Sequence, residues 1–302
     1  MKINTLFPAL ILLTGFYTAS GQTGQQKKVK RISLSDFYVQ AGLFSERNTN
    51  GTLSDFRALA PQSVLLNNNL TGYFSNRGWS SAINNTMYTV MLGLQFSNKE
   101  KTMYKPNPQL RLGVSFFSET MFTNHLYKED RKPYDTLTSA QTQEIIYIDS
   151  ITTKSYNMYY SYDQLRIDGS LIFRTNPKAR WVLYSGIGVT AGISINAQTN
   201  IYYDIYRRTY GHAENNGSSI VFFFHSGSGS NETEKIKNEN NSGFSTYIPI
   251  GINFRIGNER EFWKQANLFF EVRPGINHTS IPELQPITNA RMQCGLGLRV
   301  SW

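Results

Sequence analysis

From Arg291 to Trp302 the run RMQCGLGLRVSW alternates without a break. Met292, Cys294, Leu296, Leu298, Val300 and Trp302 fall on one side of an extended strand, and Arg291, Gln293, Gly295, Gly297, Arg299 and Ser301 on the other, because successive side chains in a strand point to opposite faces. The same period of two runs through about eight segments. They cover 34–44, 85–97, 109–118, 156–174, 181–196, 244–257, 266–278 and 288–302. No segment of helical period and comparable length competes with them, so the sequence predicts an all-β fold.

The connections between these segments alternate in length. Those after the second, fourth and sixth strands are short and rich in turn formers or charge, as in TNPKA and NEREFWKQ. Those after the first, third and fifth run to roughly 35 to 50 residues, far longer than compact domains ordinarily leave without structure. A soluble sandwich gives no reason for loop length to follow strand parity. A transmembrane barrel does, since an even number of antiparallel strands puts short turns on the periplasmic side, long loops outside, and both termini in the periplasm.

Two chemically different faces fit the same reading. Leu110, Leu112, Val114 and Phe116 alternate with Arg111, Gly113, Ser115 and Phe117, and the segment 181–196 alternates in the same way. The polar face collects Arg111, Arg166, Asp168, Arg255, Glu271, Arg273, Arg291 and Arg299. An interior of about eight strands is just wide enough for side chains to fill, so these residues are expected to pair across a filled lumen. Aromatics near strand ends, including Phe37, Tyr38, Phe96, Tyr159, Tyr160, Trp181, Phe244, Trp263 and Trp302, are expected to form interfacial girdles.

The N-terminus reads as an export signal over 1–21, with Lys2, an apolar stretch from Leu6 to Phe16, and Ala19, Ser20 and Gly21 before the cleavage point. Residues 22–33 form a basic periplasmic linker, leaving 34–302 as the barrel. Beyond the signal there is no stretch of about 18 consecutive apolar residues, which argues against a membrane-spanning helix in the mature chain. Formal net charge is +9, but the only basic run is QQKKVKR, so nucleic acid is not an expected partner. The one cysteine, Cys294, and four scattered histidines offer neither a disulfide nor a metal-ligand spacing. No cofactor or metal is implied.

The signal, the alternating strands, the loop parity and the terminal aromatic preceded by apolar residues at every second position resemble the outer membrane β-barrel superfamily of gram-negative bacteria, of the small OmpA/OmpX-like kind. The resemblance covers 34–302. It implies an antiparallel up-and-down barrel in contact with outer membrane lipids, and a terminal strand, here Leu296, Leu298, Val300 and Trp302, that is read by the barrel assembly machinery. It leaves the biological task open.

Three functional readings stand at this point. The first is a non-enzymatic envelope or surface barrel whose long loops meet an extracellular ligand or partner protein. The second is an enzyme acting on lipid at the barrel rim, for which Asn277, His278 and Ser280 supply an amide, a base and a hydroxyl, provided that they meet within hydrogen-bond reach. The third is a narrow channel, if the arginines leave a water path. In the second long loop, Asp135-Thr136-Leu137 and Asp149-Ser150-Ile151 make Thr136 and Ser150 candidate glycan acceptors, and the charged stretch 128–135 is expected to be solvated. In the first loop, Ser54 as N-cap and Pro61 as stop predict a short helix, with Phe56, Leu59, Val64 and Leu65 packing at the rim. The third loop is expected to extend the fifth and sixth strands as a hairpin beyond the membrane.

Overall fold

The computed structural model describes residues 32–46, 49–75, 85–96, 108–138, 140, 145–176, 179–215, 218–257 and 261–302. The signal sequence and all but the last two residues of the basic linker lie outside this set. Strand β1 spans Ile32–Glu46 and is followed by the two-residue β2 (Thr49–Asn50), helices α1 (Leu53–Leu59) and α2 (Val64–Asn67), and the two-residue β3 (Phe74–Ser75). Then come β4 (Asn85–Phe96), β5 (Pro108–Thr138), β6 (Ile145–Arg174) and β7 (Trp181–Asn215). The remainder is β8 (Ser218–Lys237), β9 (Ser242–Tyr247), β10 (Ile250–Arg255), α3 (Glu261–Gln265), β11 (Ala266–Ser280) and β12 (Ile287–Ser301).

The sheet closes on itself. Antiparallel pairing runs β12–β1–β4–β5–β6–β7, and both β9 and β10 join β7 to β11, which returns to β12. Counted as staves, β9 and β10 are one strand interrupted at Pro249, which has no N–H to give the ladder; Ile248 N–H still reaches Pro274 O at 2.9 Å. The ring therefore has eight staves, all antiparallel. Strands β1 and β12 are joined in register, with Asp36 opposite Ser301 and Glu46 opposite Arg291.

Exposure follows the alternation. Ile167, Ile187 and Leu296 are 73%, 62% and 61% exposed, while Arg111, Arg166 and Arg273 are fully buried. Along β12, Met292, Cys294, Leu296, Leu298 and the terminal Trp302 face out, and Arg291, Gln293, Gly295 and Arg299 face in. Met292 to Trp302 spans about 33 Å of strand, or roughly 25 Å of height at the tilt usual for such strands. That matches the apolar band of a membrane barrel.

Several expectations are corrected. Tyr38 and Tyr160 are fully buried and belong to the interior, not to a girdle. The second long connection is not a loop: β5 and β6 continue through it as one hairpin, pairing from Pro108↔Phe173 to Thr138↔Ile145. The part of β5 beyond Glu119 has no β4 partner and projects roughly 60 Å along the strand. β7 and β8 extend beside it, so the third connection is a hairpin of the kind expected. The first helix starts two residues earlier than a Ser54 cap would give: Thr52 is its N-cap, in a capping box with Asp55.

Candidate functional site

The lumen is filled by three tiers of paired charges. The tier nearest Trp302 centres on Asp36, which accepts from Arg299 Nε and Ser301 Oγ, both at 2.6 Å, and from Ser35 Oγ at 2.7 Å. Arg174 adds a guanidinium 3.4 Å away and is also bonded to Tyr38 and Gln109. The middle tier joins β5, β6 and β11. Arg111 Nη1 meets Glu271 Oε2 at 2.6 Å, Arg273 is paired with Glu271, and Arg273 Nη1 reaches Asp168 Oδ2 at 2.9 Å. Tyr247 and Ser115 donate to Asp168 at 2.5 and 2.9 Å.

The third tier lies toward the long strands. Arg291 Nη2 is 2.5 Å from both Glu46 and Glu119, and Tyr162 donates to Glu119 at 2.9 Å. Arg166 donates from Nη1 to Ser245 Oγ at 2.6 Å and to Asn277 Oδ1 at 2.8 Å. The Arg166 side chain has room because residue 243 is glycine: a Cβ there would lie 2.5 Å from Arg166 Nη2. Rings insulate these ions, with Arg291 stacked 4.4 Å over Phe44 and Arg166 4.9 Å over Phe117. The middle and third tiers each contain two carboxylates and two guanidiniums, the balance that makes burial of charge tolerable.

Above the third tier the chemistry becomes apolar. Phe56 and Leu59 of α1 and Leu65 and Leu66 of α2 pack against Met121, Phe122, Met158, Tyr160, Ala197 and Ile201 on the inner faces of β5, β6 and β7. The first loop is thus folded into the mouth of the barrel as a lid; only Val64 of its expected apolar set points away, at 71% exposure. Glu234 of β8 fixes it, accepting from Ser63 Oγ and from the N–H groups of Val64 and Leu65, the latter two at 3.1 Å. Those N–H groups belong to the first turn of α2 and have no helical acceptor. Asn238 Nδ2 also donates to Leu59 O at 2.6 Å. Beside the lid, the Tyr73 phenol is pushed up to about 12 by burial and by the neighbouring phenols of Tyr156 and Tyr203.

Seven of the eight residues expected in the lumen stand in these tiers. Arg255, at the end of β10, is half-buried. Asp36, Glu46, Glu119 and Arg174 complete the network and were not among the expected residues. Asn277, His278 and Ser280 do not converge. Asn277 points inward, bonded to Arg166, Ser245 and Glu46, whereas His278 faces out and its Nδ1 lies 2.9 Å from Thr288 Oγ1. Thr136 and Ser150 lie on β5 and β6 instead of a loop. The charged stretch 128–135 is built into β5, where Arg131 binds Asp149 at 2.5 Å and Glu129 binds Arg208 of β7 at 3.0 Å. The hydrogen bond to Asp149 holds the Arg131 guanidinium further above its usual range. Among the described residues, no group of three His, Cys, Asp or Glu side chains is placed to hold a metal ion.

An apolar outer face one membrane thick around a charged interior is the reverse of a soluble core. The fold is an outer-membrane-type β-barrel. No protein-family model and no curated protein sequence matches the chain. Among solved structures it is similar to Neisserial surface protein A, at 9% identity and a TM-score of 0.28 over 90% of this chain and 99% of that one. A mutant of the monoaromatic hydrocarbon channel TodX is more distant, at 5% identity and a TM-score of 0.15 over 89% of this chain and 90% of that one.

Proposed function

We propose that this protein is a non-enzymatic surface barrel of the gram-negative outer membrane, exported by its signal sequence, with both termini in the periplasm and the long β5–β8 sheet outside the cell. The observation that carries this reading is the double closure of the lumen, by paired ions and by the helical lid, beneath a sheet far longer than a membrane requires. A closed lumen speaks against the narrow channel, and the opposite facing of Asn277 and His278 speaks against the rim enzyme. The sheet is then the part that meets an extracellular ligand or partner protein, with Thr136 and Ser150 as its glycan acceptors. Leu296, Leu298, Val300 and Trp302 are the strand read by the assembly machinery. Protease added to intact cells tests the orientation: cleavage within 128–138 is expected without permeabilisation, and cleavage only after permeabilisation contradicts it.

A further inference from the structure

The outer face of β5, β6 and β7 changes character at one row. Leu165, Ile167, Ile193 and Ile195 are exposed and apolar below it. The row itself is Ser118, Asp163 and Asn196, paired in register, with Asn196 Nδ2 donating to Asp163 Oδ2 at 3.2 Å. Immediately beyond, the β5–β6 ladder is irregular between Thr120 and Phe122, and immediately below, the β6–β7 register shifts between Asp163 and Gln164. Such bulges bend a sheet, and here the outer surface becomes a depression of about 440 Å³.

Its walls follow from the register. Tyr159 is opposite Asn200 and Asn157 is opposite Tyr202, so rings and amides form a checkerboard, with Thr120 and Ser161 nearer the membrane and Asp204 at the far edge. The two rings are 6.0 Å apart and inclined at 70°. Among the described residues, none of those that form its walls is a cation. Ring faces cover apolar C–H surface, while amides and hydroxyls both donate and accept. Several such groups converging in one concavity is how a neutral polyhydroxylated ligand is held. The first polar row sits about 7 Å beyond the last apolar one, at the height of a lipid head group.

We propose that this depression holds the saccharide head group of a membrane glycolipid whose acyl chains lie along Leu165, Ile193 and Ile195. The assignment rests on the proposed orientation, which places this end in the outer leaflet. The full-length protein, delipidated and reconstituted in phospholipid nanodiscs, is titrated with a neutral diglycosyl diacylglycerol, with its free head-group oligosaccharide, and with phosphatidylethanolamine, and retention is read by native mass spectrometry. Wild type is expected to retain the neutral glycolipid in preference to phosphatidylethanolamine, and the free oligosaccharide to compete. Y159A/Y202A is expected to bind roughly tenfold more weakly. N157A/N200A, which keeps both rings, guards against simple misfolding of the first variant and is expected to lose retention as well. Equal retention by all three proteins, with no competition by oligosaccharide, means that acyl contacts alone act and overturns the proposal. Oligosaccharide binding as tight as that of the intact glycolipid also overturns it, in favour of a soluble glycan. Failure of the orientation itself is read separately, by the intact-cell protease experiment.

Discussion

Arg111 on β5 and Glu271 on β11 stand on opposite sides of the eight-stave ring, four staves apart by either route, and their charged groups meet at 2.6 Å. The pair spans the full width of the lumen. Both side chains are completely buried, so removing Glu271 leaves the Arg111 guanidinium away from water without its carboxylate, and removing Arg111 leaves Glu271 to Arg273 alone. Glu271→Gln or Arg111→Leu is expected to lower stability by about 3 to 5 kcal/mol. The double replacement by apolar residues of similar volume is expected to recover much of that loss. Equilibrium urea unfolding in lipid vesicles measures both.

Glu234 is the clamp of the lid. Its carboxylate satisfies Ser63 and the first amides of α2, an interaction of the N-capping kind. Glu234→Ala is expected to weaken docking of α1 and α2 by about 1 to 2 kcal/mol. Hydrogen exchange over 53–67 is expected to accelerate while the amides of β12 keep their protection.

Lid and ions close the lumen independently. Replacing 53–67 by a short Gly-Ser linker is therefore expected to leave planar bilayers without unitary conductance, because the middle and third tiers still fill the cross-section. Steady single-channel steps from that variant would show that the lid alone blocks a pore.

Tyr73 gives the lid region a pH signature. Its raised value means that the folded state keeps the phenol protonated after an unfolded tyrosine, near about 10, has begun to ionise. Its contribution to docking is thus complete below about pH 10 and lost as pH rises through about 12. Tyrosinate absorbance is expected to show a late-titrating component that loses one phenol's amplitude in Tyr73→Phe, Tyr156 and Tyr203 beside it also being raised by burial.

The barrel was legible in the sequence wherever the period of two ran unbroken. Arg111, Asp168, Glu271 and Arg273 lie inside such runs, and alternation alone puts them on the inner face. Glu46 and Glu119 were missed because they sit just past the expected ends of their strands, at Phe44 and Ser118. Asp36 was hidden by the adjacent aromatics Phe37 and Tyr38, which blur the two faces. The continuation of β5 escaped notice because the bulge after Thr120 resets the phase: Met121, Phe122 and Thr123 are all buried in succession, and no period of two survives that step. The lid's helices were visible through their caps, but their docking inside the mouth depends on Glu234, 171 residues from Ser63, a distance no local pattern reports.

Cys294, the only cysteine, is exposed on the outer face of β12, between inward-facing Gln293 and Gly295. It offers a direct test of which face meets lipid. A nitroxide attached at Cys294 of the protein in phospholipid vesicles is expected to collide freely with oxygen, which dissolves in hydrocarbon, and to be shielded from a water-soluble nickel chelate. Relaxation dominated by the aqueous chelate would contradict a barrel with its apolar face in the membrane.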